Sequence, residues 1–369
     1  MKKIETAYSM KEDVNDAVNE IKAQISMQNP KAVLFFSSSI YPVDAIAKAM
    51  QDSFESSKVF GCTTAGELVD DKMLKKSLVA MAFSDTVFED VCVKILKDID
   101  EKDNTSQVMN EFEEHFRMPV MEMDMQKYFG FILFDGLSGA EEKVMASLGS
   151  KTNVMFVGGS AGDDLGFKAT WVFAGGKVYN NAAVLVMAKA GTDFTFIKTQ
   201  SFNVQNKKMT ATKVNESARE VEEFNGKPAA EEYARVLGVE QSILPEKFMS
   251  NPLGLVIDDE PFVRSPQQVI GSKVKFYCQI LEGMELSVLD STSIIENTKK
   301  AIEEAKNTLG SISGIVNFHC ILRTLELESI KKESEYSSIF KDVPTIGFST
   351  YGEAYLGHIN QTSTMIAFK

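Results

Sequence analysis

Three short stretches of this chain carry residue types that could grip a small polar molecule. They are Phe60-Gly61-Cys62-Thr63-Thr64-Ala65-Gly66-Glu67, Val157-Gly158-Gly159-Ser160-Ala161-Gly162-Asp163 and Ile346-Gly347-Phe348-Ser349-Thr350-Tyr351-Gly352-Glu353. Each puts a hydroxyl two residues before a glycine and a carboxylate just after it. Glycine permits positive φ and lets a ligand approach the backbone. Free amides in such a turn form a concave donor nest for a carboxylate or another anion. Thr64, Ser160 and Thr350 add hydroxyl donors, while Glu67, Asp163, Asp164 and Glu353 can accept from an ammonium group. Together these groups would hold an amino acid at both ends. The competing reading is structural, because glycine followed by an acid is a common turn and the acid then caps local amides. Cys62, Gly159 and Phe348 make the three turns unequal, so one copy is expected to carry the function.

Other chemistries leave weaker marks. No GxxxxGK[ST] loop occurs, Gly158-Gly159-Ser160-Ala161-Gly162 lacks GxGxxG spacing, and there is no GxSxG elbow. The histidines are His115, His319 and His358, and none has a local partner marking it as a base. His319 and Cys320 adjoin at the end of an apolar run. Neighbours on a strand point to opposite faces, so the two cannot share a metal, and His319 is read as a core residue. His358, near Gly357, is read as exposed, and His115 as a surface residue. Haem ligation by a histidine, Cys62 or Cys320 stays open, since axial ligation leaves no spacing signature. Arg264 and Arg323 could each clamp a carboxylate bidentately or form a structural ion pair. No catalytic residue and no metal site is assigned.

These residues need elements to hold them. Strands and helices alternate as β-α-β-α-β-turn-β over residues 1–85, again over 86–190 and again over 283–369, each copy running into one of the three turns. Apolar runs such as Ala32–Phe36 and Phe129–Phe134 suit strands buried on both faces. Met284–Leu289 is expected to open the third copy. The segment 191–282 between copies two and three predicts a strand at 194–199, helices at 216–224 and 229–237, and a Pro/Asp-rich loop at 251–266. The expected fold is α/β, with mixed sheets flanked by helices. The 369 residues, 44% hydrophobic and 25% charged, suffice for two or three domains. A formal net charge of -13 opposes binding to nucleic acid or an anionic membrane. No apolar run reaches a membrane-spanning length and the first residues lack a signal-peptide core. Four dispersed cysteines then fit a reducing cytoplasm.

Taken together, these motifs resemble the FIST sensory domain family. Phe60–Glu67 looks like its hallmark and Gly158–Asp163 like its second glycine motif. Asn225-Gly226-Lys227-Pro228-Ala229 with Tyr233 resembles its D-G-x-P-A and tyrosine helix, with asparagine in place of aspartate. Arg264 matches an arginine of the linking loop, and Cys320-Ile321-Leu322-Arg323 a strand-end C-x-x-R. Tyr351-Gly352-Glu353 resembles the terminal Y-G-E, followed by Thr362 and Thr364 in the closing strand. Ser201-Phe202 stands where relatives often have Gly-Trp. The resemblance implies a stand-alone prokaryotic sensor, with an N-type region over 1–225 and a C-type region over 226–369. It implies a small polar ligand such as an amino acid, or in some members haem sensing nitric oxide. It also implies a separate partner: a histidine kinase, a chemoreceptor or a cyclic-di-nucleotide enzyme. The units occupy the chain and leave no output domain within it. An enzyme of unknown chemistry is the remaining alternative. The candidate ligand residues are Cys62, Thr64, Gly66, Glu67, Ser160, Gly162, Asp163, Arg264, Cys320, Arg323, Thr350, Tyr351, Gly352 and Glu353.

Overall fold

A computed structural model of the protein describes residues 3–369. The chain forms mixed sheets flanked by helices, divided into two compact units. The first unit comprises the residues up to Thr199, together with Thr298–His358 and Ser363–Lys369; the second comprises Gln200–Asn297 and Ile359–Thr362.

Three sheets build the first unit. In the first, the strands Ile4–Ser9, Leu78–Phe83, Ala32–Ser38 and Lys58–Thr64 lie side by side in that order. In the second, Phe88–Lys97, Ala182–Ala190, Tyr128–Phe134 and Phe156–Ser160 repeat the arrangement. In the third, Thr362–Phe368, Gly314–Cys320 and Thr345–Thr350 do so, but the outer place belongs to Phe194–Gln200. The strand expected there, at 284–289, is instead Glu285–Ser291 and pairs with Phe202–Asn215 and Leu253–Ile257 in the second unit. Side chains explain the difference. Phe194 and Phe196 pack against the central core of the first unit, whereas Leu286 and Val288 belong to a separate core with Tyr233 and Phe248.

After each glycine turn the chain leaves its own sheet. Glu67–Val69 pairs with the third sheet, placing Leu68 opposite Gly347. Val172–Ala174, of the second copy, pairs with the first sheet, placing Phe173 opposite Gly61. Glu353–Tyr355 pairs with the second sheet, placing Ala354 opposite Gly158. The hairpins thus pass round the three sheets in a ring, and each meets the first glycine of another turn. That glycine is required on its other side as well. A Cβ would stand 1.9 Å from the Phe35 carbonyl oxygen at Gly61, 1.7 Å from that of Ile132 at Gly158, and 2.3 Å from that of Asn317 at Gly347. The core enclosed by the sheets is aromatic, with Phe36 and Phe348 at 4.4 Å and Phe83 and Phe88 at 4.4 Å between ring centroids.

The second unit carries two further corrections. Residues 216–224 form a single 3-10 turn and the strand Glu220–Phe224, not a helix. Val221 and Phe224 are both buried, and the shifts of register in the pairing of this strand with Phe202–Asn215 accommodate their three-residue spacing. The segment read as a loop at 251–266 is a hairpin of Leu253–Ile257 and Glu260–Arg264. Its two-residue turn places Asp258 at φ 49° and Asp259 at φ 64°, the left-handed pair that matches strand twist. The helix Ala229–Leu237 forms as expected, ended by Gly238 in the left-handed conformation.

Candidate functional site

Buried carboxylates answer the hydroxyls of all three turns, and the first and third do so identically. The Thr64 hydroxyl donates to Oε1 of Glu67. The Thr350 hydroxyl donates to Oε1 of Glu353 at 2.5 Å. Both acids are fully buried. In the second turn the acid three residues on from Ser160 is Asp163, and it turns elsewhere. Ser160 instead donates to Glu141 Oε1 at 2.9 Å, from the first turn of the helix Glu141–Gly149. No residue near Ser160 in sequence announces this partner.

Asp163 organises the loop after the second turn. Its carboxylate accepts from the amides of Phe167, Lys168 and Ala169 and from the Tyr351 hydroxyl at 2.6 Å. Burial pulls its carboxyl upward, but these donors outweigh it and hold it below the usual range. Tyr351 also accepts from the Leu165 amide at 2.9 Å and stacks on Phe167. Asp164 reaches across to the first sheet, accepting from the hydroxyls of Ser38 and Ser39 at 2.8 and 2.6 Å. Tyr351→Phe should therefore loosen residues 163–169 and cost about 1–2 kcal/mol of stability. Urea denaturation reads the cost, and faster hydrogen exchange at Phe167 and Lys168 locates it; unchanged exchange there would refute the assignment.

A pocket of about 410 Å³ opens beside the first turn. From the first turn and its hairpin it takes Gly66, Glu67, Met73, Leu74 and Lys75. Ser349, from the third turn, and Thr324, Glu328 and Glu333 complete the wall. Gly66 is needed here twice over: its φ is 132°, and a Cβ would stand 3.3 Å from Ser349 Oγ. Ser349 and Thr324 share a hydrogen bond of 2.8 Å, and Lys75 pairs with Glu328 at 2.6 Å. Glu67 accepts from the Ser77 hydroxyl at 2.6 Å and the Ser77 amide at 3.2 Å. Burial pushes its carboxyl up to about 8, against the hydrogen bonds from Ser77 and Thr64 and with the charge of Asp164.

Of the candidate ligand residues this wall includes Gly66 and Glu67. Thr64 stands behind it through Glu67. Met73, Leu74, Lys75, Thr324, Glu328, Glu333 and Ser349 escaped the sequence reading as ligand contacts, because nothing local marks the hairpin and the helices as walls of one pocket. Ser160, Gly162, Asp163, Tyr351, Gly352 and Glu353 lie at the second and third turns. Gly162 packs closely on the first turn, where a Cβ would stand 2.7 Å from the Ala65 amide nitrogen. Cys62 and Cys320 are sealed in the core of the first unit, and burial pushes the Cys62 thiol upward. Arg323 is buried in the first unit and donates to Thr298 Oγ1 at 3.0 Å. Arg264 belongs to the second unit, at the end of the strand Glu260–Arg264.

The histidines divide. His115 is exposed, with Nε2 3.0 Å from Asp90. His319 is buried, its Nδ1 3.0 Å from the Tyr336 hydroxyl; burial and then the nearby Arg323 charge hold it well below its usual value. His358 is buried, contrary to its expected exposure, and its ring lies over Gly352, where a Cβ would stand 1.9 Å from Nε2. Its Nδ1 is 3.0 Å from Glu142 Oε1. Glycine at 352 is what allows an imidazole to fold inward beside a surface-like Gly357.

A family model described as FIST N domain matches residues 31–227, and one described as FIST C domain matches residues 229–355. The chain is also similar to uncharacterized protein MJ1623 of Methanocaldococcus jannaschii, at 23% identity over 320 residues. That similarity covers 80% of this chain and 61% of the relative, so the chain spans less than two thirds of its relative's length.

Proposed function

The chain belongs to the FIST family, whose domains are sensory, ligand-binding modules of signal transduction, and we propose on that premise that it senses a small polar ligand. The observation that carries this reading is the pocket beside the first turn. Its wall includes Glu67, whose fully buried carboxylate is held by Thr64 and Ser77, beside Gly66 and the hydroxyls of Ser349 and Thr324. Its volume lies within the range of small-molecule sites. The ligand is a molecule of amino-acid size, held by Glu67 and the Lys75–Glu328 pair. The protein binds and does not catalyse, and its change is handed to a separate protein such as a histidine kinase, a chemoreceptor or a cyclic-di-nucleotide enzyme. A cytoplasmic setting accords with its four free cysteines. Among the described residues no helix is long and apolar enough to cross a membrane.

Haem is the less favoured ligand. Cys62, Cys320 and His319 are each at most 1% exposed, and none lines this pocket. A haem on any of them would need the core around it to open.

A thermal-shift screen over amino acids, small carboxylates, amines and haem tests the reading, because a ligand of the folded state raises the melting point. Leu74→Trp should fill the pocket and weaken the best hit at least about tenfold while leaving the protein folded, a loss near 1.4 kcal/mol. Unchanged affinity in that variant would place the ligand elsewhere.

A further inference from the structure

The pocket wall is unbalanced in charge. Its carboxylates are Glu67, Glu328 and Glu333, and its cation is Lys75, which stands 2.6 Å from Glu328. An anion entering would meet Glu333 and a lysine already engaged. A cation would meet a carboxylate wall lined on one side by Met73 and Leu74, apolar surface for a hydrocarbon stem.

Glu67 is built to exchange a proton in this setting. Thr64 has one hydroxyl proton and two acceptors, Glu67 Oε1 and the Ser37 carbonyl at 3.3 Å. With Glu67 ionised, the Thr64 proton turns to the carboxylate. With Glu67 protonated, the carboxyl donates to Thr64 Oγ1, whose own proton turns to Ser37. Both states leave every group paired, so the residue can gain or lose a proton without breaking the turn. The titratable groups facing it are Asp164 from the loop after the second turn, Tyr41 and Cys62 from the first sheet's side, and Lys75, Glu328 and Glu333 across the pocket. Burial, and to a smaller extent the charge of Asp164, favour the protonated state against the hydrogen bonds from Ser77 and Thr64.

We infer that the pocket takes its ligand by a cationic nitrogen, an ammonium or guanidinium on a short aliphatic stem, which replaces the proton on Glu67. The ligand class is a diamine, an aminoguanidine or a basic amino acid. The inference rests on the pocket being the ligand site. Each bound cation releases one proton from Glu67 to solvent, and the new N–H···O contact replaces the lost O–H.

Isothermal titration with putrescine, agmatine and L-lysine, beside acetate and L-alanine, tests this. The heats should differ between phosphate and Tris buffers by the amount one released proton supplies. Apparent affinity should rise about tenfold per pH unit from 6 towards 8, as the ionised fraction of Glu67 grows. Glu67→Gln should abolish the buffer dependence and weaken binding at least tenfold. Glu333→Gln, on the pocket rim, should weaken it several-fold and remains informative should the buried variant fail to fold. If no cationic probe binds, the inference falls. If L-alanine binds without proton release, indifferent to Glu67→Gln but lost in Leu74→Trp, the inference falls while the pocket stands as the ligand site.

Discussion

Gly158→Ala should cost the fold on the order of 3–4 kcal/mol, above the usual 1–3 for overpacking. The added methyl would lie 1.7 Å from the Ile132 carbonyl oxygen, with the Ile132 side chain at 3.0 Å. The nearest atom is backbone in the parallel neighbour strand Tyr128–Phe134, so no rotamer change relieves the contact. Displacing the glycine the other way disturbs Ala354, its partner on the hairpin from the third turn. The strand is therefore pinned from both sides, and the exchanged hairpin should loosen with it. Gly149→Ala is the control. It lies at the end of the helix Glu141–Gly149, a Cβ there meets nothing within 4 Å, and the change should be neutral or stabilising by up to about 1 kcal/mol. Urea denaturation of both variants decides the matter. Equal stability of Gly158→Ala and the parent would mean that the two strands are not packed as described.

The same glycines show how much of the fold was legible. Gly61, Gly158 and Gly347 each follow an apolar residue, within the strands Lys58–Thr64, Phe156–Ser160 and Thr345–Thr350, and their recurrence marked three stretches of one kind. In sequence, Thr64 and Thr350 read as donors to a ligand, and Glu67 and Glu353 as acceptors from one or as caps of local amides; the structure instead pairs each hydroxyl with the carboxylate three residues on. What the sequence could not carry is the choice of neighbour. Strand pairing depends on which edge is open in the assembled core, so the exchange of Glu67–Val69 onto the third sheet has no local signal. Phe194–Gln200 takes the edge place expected for the strand at 284–289 for the same reason. The hairpin at 253–264 was missed because Asp258-Asp259 occupies a left-handed turn usually marked by glycine or asparagine. Glu141 was missed as the partner of Ser160 because a helix start, and not the turn itself, delivers the acid.

The pocket residues bring a second large effect, on stability against pH. In the folded chain the Glu67 carboxyl sits at about 8, above its ordinary 4.5, with burial the main cause. The folded state thus holds a proton that the unfolded state has lost between these values. Stability contributed by that proton is fully present below about pH 4.5 and is lost as pH rises through about 8. A difference of this size corresponds to roughly 4–5 kcal/mol for one fully buried group, an upper figure because water can enter beside an ionised carboxylate. Other groups titrate in the same interval, so the parent curve alone does not isolate Glu67. The difference between the parent and Glu67→Gln does, since the amide keeps the shape and cannot ionise. Glutamine can accept from Ser77 and donate towards Thr64, as the protonated acid does, so the variant should resemble the parent near pH 5. By pH 9 it should be the more stable of the two, by several kcal/mol relative to their difference at pH 5. Denaturant melts at both pH values measure this directly. A difference that stays constant would show that Glu67 is ionised throughout, and its hydrogen bonds would then outweigh its burial. Such a result would also remove the exchangeable proton on which cation binding at this pocket depends.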